Sequence, residues 1–492
     1  EENQENQLFG GKGSKKKRPK KKIPKTIFWV IGVLTLAILV FELLTIHRIM
    51  ADQFNEEELK RIIQVEQDDT KKYNENFTVK DETNGNIEIQ ELIPTDSSGN
   101  EVASIAEQIS TLKQTVLEKY AGASKKTLIF LKAYQTKVIS NVNDIHYYVS
   151  VYQQKDRGFE QLEFSELTHQ LVFSDTLQPF EISKLFNNDL AVSNFFVKKA
   201  LDESKANGLS DEQTDKITSQ FKDNNWKKLD TSIIQNGIRI KYKDTNDSDA
   251  EWTIPFTELF AYMNENMIPE TEKENYTKYL ATVKEKLGKK RIALSFDDGP
   301  RPETTPRVLE ILKKYNAHAT FYIVGSHVEG NESIIKQIVA EGHELGNHSY
   351  SHPLLPKKSA DEVYKEVHNT SDLIAKASGG LRPMSLRPPY GGFDKMVAEQ
   401  AGIAIVNWSI DSLDWKYRDA AKTIQHIKEN THNGGILLMH DIHEESVEAL
   451  PTIIEYLQAE GYELVTVDEL MAGQPLKPNH AYFNRVDIQK ID

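Results

Sequence analysis

Apolar residues in this chain gather first into one unbroken run and later into short alternating blocks. Residues 27–46 (IFWVIGVLTLAILVFELLTI) are apolar on every side, with only Glu42 interrupting them. A helix of that length spans about 30 Å, enough to cross a hydrocarbon core, whereas a soluble surface helix would keep a polar face. Residues 47–125 turn polar and charged, with helical patches at 56–65 and 102–120 on either side of the turn-rich Thr95-Asp96-Ser97-Ser98-Gly99-Asn100. They read as a polar helical spacer, or as a disordered linker. Within 126–268, residues 144–152 and 238–242 alternate as half-buried strands do, 171–174 is a shorter apolar block, and 191–205 and 211–221 carry helical patterns. This predicts a small α+β domain, followed by a mostly helical linker over 269–290.

Between 291 and 471 the pattern becomes regular. Apolar blocks at 292–296, 319–324, 343–346, 385–387, 403–409, 436–439 and 463–466 alternate with helical stretches at 304–315, 333–341, 360–377, 394–401, 420–430 and 447–460. Ile334, Ile335, Ile338 and Val339 illustrate the one-sided stripe of such a helix. Repeated β and α units imply an α/β fold with a parallel sheet, closed or nearly closed. Residues 472–492 read as a C-terminal tail.

Charge sharpens the picture. The net charge is −14, but residues 1–26 hold nine Lys/Arg against three Glu, leaving the remainder at −20. So acidic a remainder argues against nucleic-acid binding, which needs a basic face. The basic run instead flanks the apolar one, as the cytoplasmic side of a single-pass anchor does. A cleaved signal peptide is the rival reading, but the run is longer than an ordinary signal core and lacks an A-x-A-like exit. With no cysteine, any metal must be held by His, Asp or Glu.

Candidate chemistry lies in five clusters: Ser295-Phe296-Asp297-Asp298-Gly299-Pro300, His348-Ser349-Tyr350-Ser351-His352, Arg387-Pro388-Pro389-Tyr390, Asp411-Ser412-Leu413-Asp414-Trp415 and Leu438-Met439-His440. Adjacent carboxylates supply one metal ligand and one free base, and two histidines add neutral nitrogen ligands; such a set suits zinc. Cobalt, manganese or iron is accommodated as well. Asp297, His348, Arg387, Asp411 and His440 all fall at or just past the ends of predicted strands, where barrel enzymes keep their chemistry.

Motif for motif, residues 291–471 resemble the polysaccharide deacetylases of carbohydrate esterase family four, most closely the membrane-anchored peptidoglycan N-acetylglucosamine deacetylases of Gram-positive cocci. Ser295 stands where threonine is usual. The resemblance implies a distorted (β/α)-barrel behind the transmembrane helix, the spacer and the α+β domain. It implies Asp298, His348 and His352 as metal ligands, Asp297 as general base and Arg387 as its partner. It further implies the Tyr390 backbone N–H as oxyanion donor and His440 as general acid, kept charged by Asp414, with Asp411 the second choice. Leu438 and Trp415 would form an apolar pocket for the acetyl methyl.

The expected activity is metal-dependent hydrolysis of the N-acetyl group of N-acetylglucosamine in peptidoglycan, releasing acetate and protecting the wall against lysozyme. The expected partners are glycan strands and the membrane, with no nucleic acid and no obligate protein partner. An O-acetyl esterase, a deacetylase of another polysaccharide, a catalytically silent wall-binding protein and an adhesin built on 126–268 are the competing readings. His146 and His169 are isolated in sequence and read as ordinary histidines. His443 matches no motif position and reads as an exposed loop residue.

Overall fold

The computed structural model describes residues 25–492, so most of the expected basic tail lies outside the described residues. Helix α1 (Lys25–Tyr73) contains the apolar run and continues past it. No Gly or Pro interrupts residues 33–84, and 47–73 are rich in Glu, Lys, Gln and Leu, all good helix formers. The expected break at residue 47 is therefore absent.

Strands β1 (Phe77–Asn84) and β2 (Ile87–Pro94) form an antiparallel hairpin, and helix α2 (Ala103–Tyr120) leads to β3 (Thr127–Ile139), which pairs with β2 in parallel. Strands β4 (Val142–Gln154) and β5 (Phe159–Phe173) complete a five-stranded sheet in the order β1-β2-β3-β4-β5. The expected helical spacer thus contains two strands. Its polar look comes from β1, an edge strand whose Lys80, Asp81 and Glu82 all face solvent.

The chain divides into two compact units, one of residues up to 94, 108–133 and 147–167, the other of residues 95–107, 134–146 and 168–492. In the first, Glu66 of α1 binds Lys132 of β3 at 2.5 Å and accepts from the Tyr152 hydroxyl of β4 at 2.6 Å. Glu66 and Lys132 are both buried, so this network ties the helix to the sheet.

After β5 the second unit continues with α3 (Asp189–Ala206) and α4 (Asp211–Thr218), then an antiparallel sheet of β6 (Thr231–Ile234), β7 (Gly237–Lys243) and β8 (Asp249–Pro255), then α5 (Phe256–Leu259) and α6 (Lys273–Gly288). The expected separate domain over 126–268 is not one compact piece. Residues 168–268 join the catalytic region, because Asn194 of α3 exchanges two hydrogen bonds with the Arg382 backbone, at 2.8 and 3.0 Å, and Leu381 packs on the α3 core.

The β/α pattern then runs β9 (Arg291–Asp297), α7 (Thr305–Lys314), β10 (Thr320–Ile323), α8 (Glu332–Ala340), β11 (Glu344–Asn347), α9 (Ala360–Ser378), β12 (Ser385–Leu386), α10 (Lys395–Ala401) and β13 (Ala404–Val406). It continues through β14 (Ile410–Asp411), α11 (Asp414–Tyr417), α12 (Ala420–Asn430), β15 (Ile436–His440), α13 (Glu444–Ala459), β16 (Glu463–Val465) and α14 (Val467–Leu470) to β17 (His480–Tyr482) and β18 (Ile488–Lys490). The sheet order is β14-β15-β9-β10-β11-β12-β13-β17-β18, with β16 also on β9, and every strand except β18 runs parallel to its neighbours. The expected tail therefore supplies two strands.

Connectivity forces this sheet to curl. Strands β13 and β14 stand six places apart in the sheet order, about 29 Å if the sheet were flat. Yet only residues 407–409 join them, a span of about 14 Å from 406 to 410 when fully extended. The result is a curled half-barrel, and among the described residues no ladder joins its ends. Alternate residues of each strand face opposite ways. Ile292, Leu294 and Phe296 pack outward under the helices, while Ala293 joins Tyr322, Val406 and Ile436 in the inner core.

Candidate active site

The same alternation carries Ser295 and Asp297 of β9 to the inner side, and Leu438 and His440 of β15 with them. The two strands pair in register, Leu438 beside Ser295 and His440 beside Asp297. A carboxylate and an imidazole therefore stand side by side at the carboxyl end of the sheet.

Arg387 follows β12 and is wholly buried. Its Nη1 donates to Asp297 Oδ1 at 2.8 Å and to Ser295 Oγ at 2.8 Å, its Nε to the Val406 carbonyl at 3.1 Å and its Nη2 to the Asn407 carbonyl at 3.0 Å. The guanidinium lies 4.1 Å from the Tyr322 ring centre. A buried charge needs this degree of pairing. Ser295 in turn donates to the Leu437 carbonyl at 2.7 Å, so the residue standing in for the usual threonine links two strands and the arginine.

Asp298, His348 and His352 converge as sequence predicts, with one donor atom from each within 4.8 Å of the others. Both histidine Nε2 atoms lie 3.3 Å from Asp298 Oδ1. His348 Nδ1–H donates to the Arg387 carbonyl at 2.6 Å, which leaves Nε2 as its bare lone pair. Asp298 Oδ1 is buried without a hydrogen bond. Three electron-pair donors facing one point, one an orphaned carboxylate oxygen, fit a divalent cation. Burial works against ionisation of Asp298, but His348 outweighs it and holds the carboxyl well below its usual range. Asp298, Ser349, His352, Tyr390 and Leu413 all adopt left-handed backbone, a concentration of strain typical of working sites.

On the opposite flank, His440 Nδ1–H donates to Asp414 Oδ1 at 2.8 Å, and its Nε2 stands 3.9 Å from Asp298 Oδ2. Asp414 also accepts from Ser446 Oγ at 2.6 Å and from the Trp415 backbone at 2.7 Å. Asp411 instead accepts from the Leu413 backbone at 2.9 Å and from Trp415 Nε1 at 3.3 Å, so Asp414 is the residue in contact with the imidazole. The Tyr390 N–H has no protein acceptor among the described residues, and the residue is 71% exposed. Leu438 is buried below His440, while Trp415 is 51% exposed at the rim.

Several participants carry no motif signal. Asp441 is buried beneath Gly299, where a Cβ would stand 2.3 Å from its Oδ2. That oxygen accepts from the Thr305 hydroxyl, and burial raises the Asp441 carboxyl to about 7. Its only sequence cue is adjacency to His440. His443 is half-buried rather than a free loop residue, and Arg418 donates to its Nδ1. His169 is not isolated either: it binds Asp144 at 3.1 Å and Asp230 at 2.5 Å and stacks on His146.

Comparison with known proteins places the chain in a family. The family model described as polysaccharide deacetylase matches residues 284–406, and the one described as peptidoglycan GlcNAc deacetylase N-terminal domain matches 57–277. A Bacillus cereus peptidoglycan-N-acetylglucosamine deacetylase is 36% identical over 200 residues, covering 39% of this chain and 72% of the relative. The chain belongs to the polysaccharide deacetylase family. Within that family, the peptidoglycan-N-acetylglucosamine deacetylase PgdA of Listeria monocytogenes is 36% identical over 267 residues, covering 54% of this chain and 56% of the relative. The chain thus spans about half the length of that curated relative. The structure of peptidoglycan deacetylase PdaC from Bacillus subtilis is similar at 41% identity, with a TM-score of 0.37, over 38% of this chain and 92% of that one. The polysaccharide deacetylase match includes Asp297, Asp298, His348, His352, Arg387 and Tyr390; Asp414 and His440 lie beyond it.

Proposed function

We propose that this polysaccharide deacetylase hydrolyses the N-acetyl group of N-acetylglucosamine in peptidoglycan, releasing acetate and leaving a glucosamine amine that makes the wall a poorer lysozyme substrate. The observation carrying the reading is the pairing of Asp297 with His440 across adjacent strands, above the convergence of Asp298, His348 and His352. In this reading those three residues hold a divalent cation, zinc first. When bound, it supplies Lewis-acid polarisation of the acetamide carbonyl and acidifies the attacking water.

The chain's own residues do the rest. Asp297, ionised and aimed by Arg387, takes the proton from the water as its oxygen bonds to the carbonyl carbon. The free Tyr390 N–H faces the negative charge that forms on the carbonyl oxygen, and Leu438 and Trp415 border the acetyl methyl. As the C–N bond breaks, His440 Nε2–H gives its proton to the departing nitrogen, with Asp414 stabilising the imidazolium. One water is consumed, and acetate and an amine leave.

An apolar helix near the N-terminal end, beside a Lys-rich run, supports a single-pass anchor with its basic side in the cytoplasm and the catalytic region outside. An anchored enzyme meets the wall before any other polysaccharide. The test is acetate release from purified peptidoglycan by the full chain, after chelation and after zinc or cobalt is restored, with Asp297→Asn alongside. Metal-dependent release that Asp297→Asn abolishes supports the reading; no release from wall glycan with any metal rejects the substrate.

A further inference from the structure

The apolar run and the first compact unit share one helix. Helix α1 passes from the run into that unit with no Gly or Pro over residues 33–84, so no hinge separates them. The unit takes hold of the helix early. Gly158, in the turn between β4 and β5, donates its N–H to Asn55 Oδ1 at 2.8 Å, and the Arg157 guanidinium lies 4.7 Å from the Phe54 ring centre. Phe54 is eight residues beyond Ile46, where the run ends, a rise of about 12 Å. The headgroup layer outside a hydrocarbon core takes up about 5–8 Å of that.

Two more turns gather at the same end of the sheet. Gln154, beside the clamp, donates its N–H to the Lys126 carbonyl at 2.9 Å, and Thr127 donates its own to the Asn86 carbonyl at 2.9 Å. Asn86 Nδ2 donates to the Ala123 carbonyl at 3.1 Å. Residues 84–86, 121–126 and 155–158 therefore form one rim that points back along α1 toward the run. The far end is fixed as well: Asn74, just past α1, donates to the carbonyl of Ala133, six residues along β3 from Thr127, at 2.7 Å.

Four basic residues, Lys125, Lys126, Lys155 and Arg157, stand on this rim against a single acid, Asp156, although the chain beyond residue 26 carries a charge of −20. Lys125, Lys155 and Arg157 are exposed. Glu88 and Glu160, which pair with Lys126 and Lys155, lie at the surface, where such pairs are weak enough to yield to phosphate.

Resting on the single-pass anchor reading, we infer that this rim is a membrane-docking surface, on which Lys125, Lys126, Lys155 and Arg157 bind lipid phosphates at the outer face of the membrane that α1 crosses. The clamp stands about 4–7 Å above the headgroups, and long cationic side chains close such a gap. Each cation near an anionic surface adds to the attraction. The first unit is then a foot set on the bilayer rather than a spacer that lifts the chain away from it.

Because the chain has no cysteine, one fluorophore can be placed at will. The full chain is reconstituted in vesicles of phosphatidylcholine with phosphatidylglycerol, labelled through Ser124→Cys on the rim or Asn76→Cys beyond the far end of α1, and quenching by lipids with a nitroxide on the headgroup is measured. The rim label should be quenched strongly and the far label weakly. Lys125→Gln, Lys155→Gln and Arg157→Gln combined should lower quenching of the rim label by about twofold or more, as should pure phosphatidylcholine or high salt. Equal quenching of the two labels in an embedded chain would overturn the inference. So would strong quenching of the rim label that neither the triple variant nor lipid charge alters. A chain that alkaline carbonate strips from the vesicles would overturn the anchor reading and this inference with it.

Discussion

His440 and Asp414 are joined twice: the imidazole donates to one carboxylate oxygen at 2.8 Å and the His440 backbone N–H reaches the other at 2.9 Å. The second bond fixes the carboxylate to the same residue whose side chain it orients, so the pair moves as one piece. Burial opposes a charge on His440, but Asp414, with Asp297 and Asp298 behind it, pushes its pKa up to about 9. In chelator-treated protein, ring titration by NMR should place His440 near that value, and Asp414→Asn should bring it back toward the ordinary 6.5. The same variant should lose about a hundredfold or more in kcat, the usual scale for disabling a general acid. A wild-type kcat in Asp414→Asn would remove Asp414 from the mechanism.

Arg387 joins the base to two backbone carbonyls, and lysine cannot make all of those bonds from a single nitrogen. Arg387→Lys should therefore lose activity, and Arg387→Met should lose stability as well, by about 3 kcal/mol or more, as a buried ion pair is broken. Urea denaturation checks this: Arg387→Met and Asp297→Asn should be strongly non-additive, because each removes the other's charged partner.

Ser295 tests whether the departure from the usual threonine matters. Its hydroxyl accepts from Arg387 and donates to Leu437, two bonds that a threonine hydroxyl also makes. Ser295→Thr should leave kcat/KM within about twofold, whereas Ser295→Ala, stranding one of the buried arginine's partners, should cost about 1–3 kcal/mol in denaturant unfolding.

A divalent cation held by the folded site stabilises it by mass action, about 2.7 kcal/mol at a hundredfold excess over Kd. Zinc, cobalt, manganese and iron should each raise the Tm of chelated protein, and Asp298→Ala should abolish the rise. A metal-induced rise that survives Asp298→Ala would place the cation elsewhere.

Outside the site, the Asp144 hydrogen bond lifts the His169 pKa from 6.5 to about 9, against burial and with help from Asp230. A raised histidine contributes stability that is complete below pH 6.5 and is lost as pH climbs through 9. The Tm should therefore fall across that window, and His169→Gln should flatten the fall while lowering the Tm at pH 6. An equally steep profile in the variant would exclude His169 as its source.

Much of the catalytic region was legible because its helices carry one-sided stripes and its strands are short apolar blocks between them; the six predicted helices differ from the observed ones by a few residues at most. Strands without periodicity were not legible. Ile410–Asp411 and His480–Tyr482 hold two and three residues, too few for a pattern, and their pairing comes from distant partners. The edge strand Phe77–Asn84 hid behind its exposed charges. The five clusters named their residues because each side chain has a distinct chemistry, whereas Arg418 and Asp441 act through neighbours that only the fold brings together. Nor does a sequence say which surface of α3 will meet Arg382.

One strand that escaped the sequence pattern also governs when the site can exist. Strand β17 pairs with β13, and Asn407 donates its N–H to the Tyr482 carbonyl at 2.8 Å while its own carbonyl accepts from Arg387. During synthesis Asp297 leaves the ribosome long before Tyr482 does. Until residues 480–490 arrive and add their edge, the scaffold that aims the base is unfinished. A chain whose last dozen residues have yet to emerge would thus carry its ligands and its carboxylate without the alignment that brings them to bear on one point.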